Sequence, residues 1–180
     1  MKQRLLMLGL VLPLIAFACM IGQAEWRLAH SETWIFNMQG YDPRDLLRGH
    51  YLIFQLEIEP KPHNEEASVC DPITDDCCYC LTPGAEIARV GFETELTSLS
   101  CSQAQTTCSA FVRAEPLQSL RRFYIPESHR EMLEDRLFEA QRARMAHLLV
   151  AVDENGYPAI SQMILQGETI ESVVEGAEGP

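Results

Sequence analysis

From Leu5 to Gly22 the chain runs eighteen residues without a charge, LLMLGLVLPLIAFACMIG, behind a short basic start of Met1-Lys2-Gln3-Arg4. At helical rise such a run spans about 27 Å, close to the hydrocarbon thickness of a bilayer. Pro13 sits in its middle, which a membrane helix tolerates better than a soluble one. The basic residues precede the run and Glu25 and Glu32 follow it, so the positive-inside rule places the N-terminus in the cytoplasm and the remainder across the membrane. Two fates fit residues 1–24: a retained single-pass anchor, or a signal peptide cut after Ala24, because Gly22-Gln23-Ala24 puts small residues at both cleavage subsites. Both deliver residues 25–180 to the same side. Cys19, preceded by Ala16-Phe17-Ala18, matches a lipoprotein cleavage site poorly and reads as a small apolar residue of the run.

Beyond the run the apolar period changes to that of strands. Thr33–Met38 has strong β character. Gly40-Tyr41-Asp42-Pro43 is a turn signal, with Asp42 as a helix N-cap and Pro43 fixing φ for one helical turn to Leu47. In Tyr51–Glu59 the positions Leu52, Phe54, Leu56 and Ile58 form the apolar set and face the core. Pro60 opens a polar loop to Gly84, a length that needs cross-links in a compact domain. Ala85–Leu96 reads as a strand. It continues through a tip at Cys101–Cys108 into Ser109–Arg113, a long hairpin. Leu120–Pro126 is a short strand, and Ser128-His129-Arg130-Glu131 fits a capping box for a helix over about 128–145. That helix has Leu133, Leu137 and Ala140 on one stripe and an Arg130–Glu134 pair on its surface. His147–Val152 and Tyr157–Leu165 flank Asp153-Glu154-Asn155-Gly156 as a hairpin, and Glu168–Val173 adds a last strand. The acidic tail 175–180 is expected to be disordered. The pattern predicts a mainly β (α+β) fold: one antiparallel barrel-like or rolled-sheet domain over 25–174 with one packed helix.

Charge narrows the partners. The chain holds 14 basic and 26 acidic residues; only Lys2 and Arg4 precede residue 25, leaving 12 basic against 26 acidic in 25–180. Such a balance excludes phosphate-tracking nucleic-acid binding and a polybasic grip on lipid. Cys70, Cys77, Cys78, Cys80, Cys101 and Cys108 fall within 39 residues of an exported segment and read as a disulfide framework. Six cysteines allow 15 pairings. Cys101–Cys108, bracketing a short polar stretch, is the favoured pair, with the other four stapling the loop or reaching toward that tip. Zinc is the sharper alternative for Cys70–Cys80 with His63, against which the spacing lacks a paired CxxC. Thiol redox chemistry is another, but Asp71, Asp75 and Asp76 would raise a thiol pKa.

The stretch Tyr41-Asp42-Pro43-Arg44-Asp45-Leu46-Leu47-Arg48-Gly49-His50-Tyr51-Leu52-Ile53-Phe54-Gln55-Leu56 resembles the signature of the GDYXXLXY proteins, bacterial and predicted to be membrane-anchored. Arg122-Phe123-Tyr124-Ile125-Pro126-Glu127 and Val150–Gly156 resemble the family pattern as well. Here the motif's Asp is His50, its Leu is Phe54 and its last Tyr is Leu56, so the apolar positions are kept and an acid is lost. The resemblance implies a retained anchor in the bacterial inner membrane, a periplasmic domain and a multi-pass membrane protein as partner. On the residues alone, Gly49 is expected to permit a tight exit into the strand, and Arg44, Asp45 and Arg48 are expected to form a charge network that anchors the turn, so the segment reads either as a folded corner or as a surface built on it. Asp42, Pro43, Arg44, Asp45, Arg48, Gly49, His50 and Tyr51 are therefore the candidate binding corner.

Catalytic signatures are thin. A strand beginning R-G-x-Y is loosely similar to the scaffold of signal peptidases, which need a neutral lysine. Lys61, flanked by prolines, is a poor one. His30, His50, His63, His129 and His147 lie in no nucleophile motif, and His129 and His147 read as surface residues. No Walker loop, GxGxxG, HExxH or EF-hand occurs, so no catalytic, metal or cofactor residue is singled out. The favoured reading is a non-catalytic accessory module of an integral membrane complex. A hydrolase-like enzyme using the corner, and a redox or metal module using Cys70–Cys80, are the alternatives.

Overall fold

The computed structural model describes residues 2–39, 51–63, 70–71, 76–87 and 90–178. The first helix, α1, runs Lys2–His30, about 43 Å at helical rise. Its segment Val11–His30 is long and apolar enough to cross a membrane, with mean hydropathy 1.3. Its last turn is closed by side chains: Ser31 Oγ donates to the Arg27 carbonyl at 2.7 Å, and His30 Nδ1 lies 2.8 Å from the Trp26 carbonyl. Arg27 and His30 also complement the negative end of the helix dipole. Ser31 alone then separates α1 from strand β1 (Glu32–Gln39).

Strand β1 is the centre of the sheet. On one side it pairs antiparallel with β9 (Ala146–Val152), Glu32 opposite Val152 and Asn37 opposite His147. On the other it pairs parallel with β6 (Gly91–Ser100), Ile35 opposite Glu93. Beyond β9 come β10 (Pro158–Leu165) and β11 (Glu168–Thr169). Beyond β6 come β5 (Cys77–Ile87) and β7 (Phe111–Arg113). Short strands fill the rim: β2 (Tyr51–Ile53) pairs with β8 (Arg122–Tyr124), β3 (Gln55–Leu56) with β1, and β4 (Lys61–Pro62) runs parallel to β6. The sheet is thus mixed, not wholly antiparallel. Local alternation and turn residues encode hairpins, whereas β1 and β6 are joined by a connection long enough to bring them together parallel.

The sheet also rolls. The Arg113 N–H on β7 donates to the Gly156 carbonyl at 2.9 Å, and Arg113 Nε to the Asn155 carbonyl at 3.2 Å. One end of the strand order therefore meets the β9–β10 turn. Gly156 makes that contact possible, because its φ is +79° and a Cβ there would stand 2.6 Å from the Phe111 ring. Helix α4 (Arg130–Arg142) packs Leu133, Leu137 and Ala140 against the sheet, and its Arg130–Glu134 pair closes at 2.8 Å. Phe36, Phe54, Tyr79, Leu148 and Met163 share the same core.

Several expected elements take another form. The hairpin spans β5 and β6, with Ile87 opposite Gly91, so Ala85–Leu96 is not one strand and Cys77, Cys78 and Cys80 belong to a strand instead of the loop. Strand β5 alternates between two cores: Cys77, Tyr79 and Leu81 face the main one, while Cys78 and Cys80 face a smaller one with Leu99, Cys101 and Ala104. The polar tip is a helix, α2 (Cys101–Thr107), whose N-cap Ser100 accepts from the Gln103 N–H. Helix α3 (Ala114–Ser119) follows β7. The expected capping box at Ser128 does not form. Glu127–His129 is a 3-10 turn after Pro126, and Ser128 Oγ lies 2.9 Å from His129 Nδ1. The last expected strand ends at Thr169. Ile170, Val173 and Val174 have helical spacing and pack on the core from helix α5 (Ile170–Glu178), which also covers positions 175–178 of the tail expected to be disordered.

Candidate functional site

Of the candidate corner, Tyr51 is described; Asp42, Pro43, Arg44, Asp45, Arg48, Gly49, His50 and the helical turn expected to Leu47 lie outside the described residues. The strand leaving the corner divides its side chains by alternation. Leu52 and Phe54 are fully buried, and Leu56 and Ile58 pack partly buried on the same core. Tyr51 and Ile53 turn the other way. The β2–β8 pairing sets Tyr51 opposite Tyr124 and Ile53 opposite Arg122. The two tyrosine rings meet edge-on at 6.0 Å, and the Arg122 guanidinium lies 5.1 Å from the Tyr51 ring centroid. Tyr124 is 74% exposed, and Arg121 and Arg122 are exposed beside it. The result is a basic, aromatic face on an acidic domain. Sequence reasoning placed only Tyr51 of these at the candidate corner, with Arg122 and Tyr124 noted only as part of the family pattern. The signal for the others is the two-residue alternation about half-buried Phe123, which sends Arg122 and Tyr124 outward.

A second feature is a polar recess of about 570 Å³ where β1, β6 and the end of α4 meet, lined by Asn37, Glu57, Glu59, Glu93, Glu95 and Arg144. Lys61 Nζ bonds Glu95 Oε2 at 2.9 Å on its exposed rim. Arg144 holds a φ of +53° where α4 ends. The Met145 N–H donates to Ala140 and the Arg144 N–H to Gln141, a Schellman closure whose left-handed position usually takes glycine.

Along the wall of the recess a partly buried hydrogen-bond chain crosses three strands. Asn37 Nδ2 donates to Glu93 Oε1, and Asn37 Oδ1 lies 2.9 Å from His147 Nδ1. A carboxylate only accepts, so the amide nitrogen faces Glu93, the amide oxygen faces His147, and His147 Nδ1 carries the proton. His147, expected at the surface, is 4% exposed, because β9 lies between β1 and β10 and is covered on both faces. Desolvation by burial holds its pKa below the ordinary histidine value. The unfolded chain then takes up this proton first as pH falls below about 6.5. The neutral histidine's contribution to stability is therefore complete above that pH and lost as pH drops toward the lower folded pKa. Melting temperatures at pH 7.5 and 5.0 are expected to fall further apart in the wild type than in His147→Gln; equal differences would contradict this assignment.

The cysteines are brought together as Cys70–Cys77, Cys78–Cys101 and Cys80–Cys108. The favoured pair Cys101–Cys108 is not formed. Those residues stand at opposite ends of α2, about 10 Å apart along its axis, beyond disulfide reach. Both face β5, where Cys78 and Cys80, two apart on one strand face, meet one each. All four of Cys70, Cys77, Cys78 and Cys80 are bonded, so none offers a thiolate to zinc. Among the described residues no three His, Cys, Asp or Glu side chains converge as a metal site.

No curated protein and no solved structure matches the chain. The sequence pattern described as "GDYXXLXY protein" matches residues 13–163, from within α1 to within β10. The match includes the Gly49–Leu56 motif, so this chain belongs to the GDYXXLXY family.

Proposed function

We propose that the protein is a single-pass, membrane-anchored accessory module of an integral membrane complex, with residues 25–180 in the periplasm and a multi-pass membrane protein as its partner. The observation that carries this reading is the junction of α1 with β1. A helix of membrane-crossing length enters the central strand of the sheet across Ser31 alone, so the domain is held at the membrane surface rather than on a tether. Three disulfides suit an oxidising compartment. The outward Tyr51–Arg122–Tyr124 face supplies the residue types that dominate interfaces and fits an acidic loop of the partner.

The test is affinity capture of the full-length protein from membranes in mild detergent, with the bound proteins identified by mass spectrometry. The wild type is expected to retain a multi-pass protein. The Arg122→Ala/Tyr124→Ala double variant should lose it by about 30-fold or more, the scale of two interface residues worth about 1 kcal/mol each. Recovery of the chain without any membrane protein, or equal recovery by wild type and variant, would contradict the reading.

A further inference from the structure

We infer that the groove between the outer end of α1 and the β9–β10 turn seats one phospholipid of the outer leaflet, its phosphate on Arg27 and its acyl chains beside Met20. This rests on the membrane reading above. The groove is about 330 Å³ and is graded in polarity. Met20, Ala24 and Leu28 line it from the helix together with Arg27 and Ser31, and Tyr157 and Ala159 form its outer wall.

The grading follows the membrane normal. Met20 lies within the uncharged run, which ends at Gly22. Arg27 is five residues further, about 7.5 Å at helical rise. That distance matches the thickness of a headgroup layer, about 5–8 Å per side. The groove thus offers apolar surface at acyl depth and a guanidinium at phosphate depth. A guanidinium is suited to phosphate through its forked donors.

Arg27 is the one cation among the residues lining the groove, and Asp153 the one anion. Among the described residues Arg27 makes no ion pair, while the domain as a whole is strongly acidic. The Asp153 carboxylate is turned onto the backbone of its own turn, where Oδ1 accepts from the Asn155 N–H at 2.9 Å and the Tyr157 N–H at 2.8 Å. The Tyr157 ring is steadied by the Arg113 guanidinium, 5.1 Å from its centroid. Trp26, 62% exposed and next to Arg27, is the residue type that marks the headgroup level of a span.

The experiment uses full-length protein purified in mild detergent, washed extensively, and exposed to vesicles of phosphatidylglycerol or phosphatidylethanolamine. Lipid retained per chain is counted by mass spectrometry. Wild type and the distant surface variant Arg136→Ala are expected to hold about one phospholipid. Arg27→Ala, which removes the phosphate partner, and Ala159→Trp, which fills the groove, should each lower retention at least fivefold. Unchanged melting temperatures would show these variants to be folded. Inorganic phosphate at millimolar concentration should not displace the lipid. Equal retention in all four proteins, or displacement by inorganic phosphate, would overturn the assignment. A chain that leaves the membrane in alkaline carbonate would remove the membrane reading and the lipid site together. A chain that stays in the membrane with retention equal in every variant removes the lipid site alone.

Discussion

Reducing the disulfides of the folded protein is expected to lower its melting temperature by roughly 15–25 °C. The three bridges close sequence separations of 7, 23 and 28 residues. Loop-closure entropy assigns about 2 kcal/mol to the short one and about 3–4 kcal/mol to each longer one. The longer loops overlap, so their contributions do not add, and a combined loss of about 5–8 kcal/mol is the working figure. That approaches the whole stability of an ordinary domain. Cys78–Cys101 should matter most. Both residues are buried, and with Leu99 and Ala104 they form the small core between β5 and α2. Without the bridge, seven-residue α2 has one N-cap and little apolar surface to hold it. The Cys78→Ala/Cys101→Ala double variant removes the bond without leaving a thiol and is expected to cost about 3 kcal/mol. Thermal melts of the detergent-solubilised chain with and without dithiothreitol make the comparison. Curves within about 3 °C of each other would show that the bridges carry little of the fold.

Phe54→Ala is expected to cost about 3–5 kcal/mol. Phe54 occupies the leucine position of the family motif, is fully buried, and packs in the core that also holds Phe36, Leu148 and Met163. Its backbone N–H donates to the Arg121 carbonyl at 3.1 Å, so the strand is pinned on both its side-chain and main-chain sides. Truncation leaves a cavity that a sheet bonded on several edges cannot close by collapse. Tyr51→Ala, one strand face away and half-buried, should cost about 1 kcal/mol or less while abolishing the aromatic contact with Tyr124. Urea titration separates the two: the midpoint for Phe54→Ala should shift strongly with an unchanged slope. A midpoint shift no larger than that of Tyr51→Ala would mean that the motif's apolar position does not serve the core.

The elements legible in the chain are those whose stabilising residues are close in sequence. The alternation Leu52-Phe54-Leu56-Ile58, the Leu133-Leu137-Ala140 stripe and the turn at Asp153–Gly156 each carry their own period, and each forms where that period places it. What stayed hidden depends on pairing at a distance. The parallel contact of β1 with β6 has no local signature, and neither has the burial of His147 between β1 and β10. The disulfide pairing depends on where a helix begins. Ser100-Cys101-Ser102-Gln103 is itself a helix start, and recognising it would have set Cys101 and Cys108 too far apart to bond. Tyr51 is the described member of the candidate corner, and its partners Arg122 and Tyr124, which the sequence marks only as part of the family pattern, come from a strand about seventy residues later.

The claim beneath the whole account is that α1 crosses the membrane and leaves the disulfide-bonded domain outside the cytoplasm. Fusing alkaline phosphatase or green fluorescent protein after Pro180 tests it most directly. The account predicts an active phosphatase and a dark fluorescent protein, both in the membrane fraction. A fluorescent fusion paired with an inactive phosphatase would place the cysteines in a reducing space and contradict it.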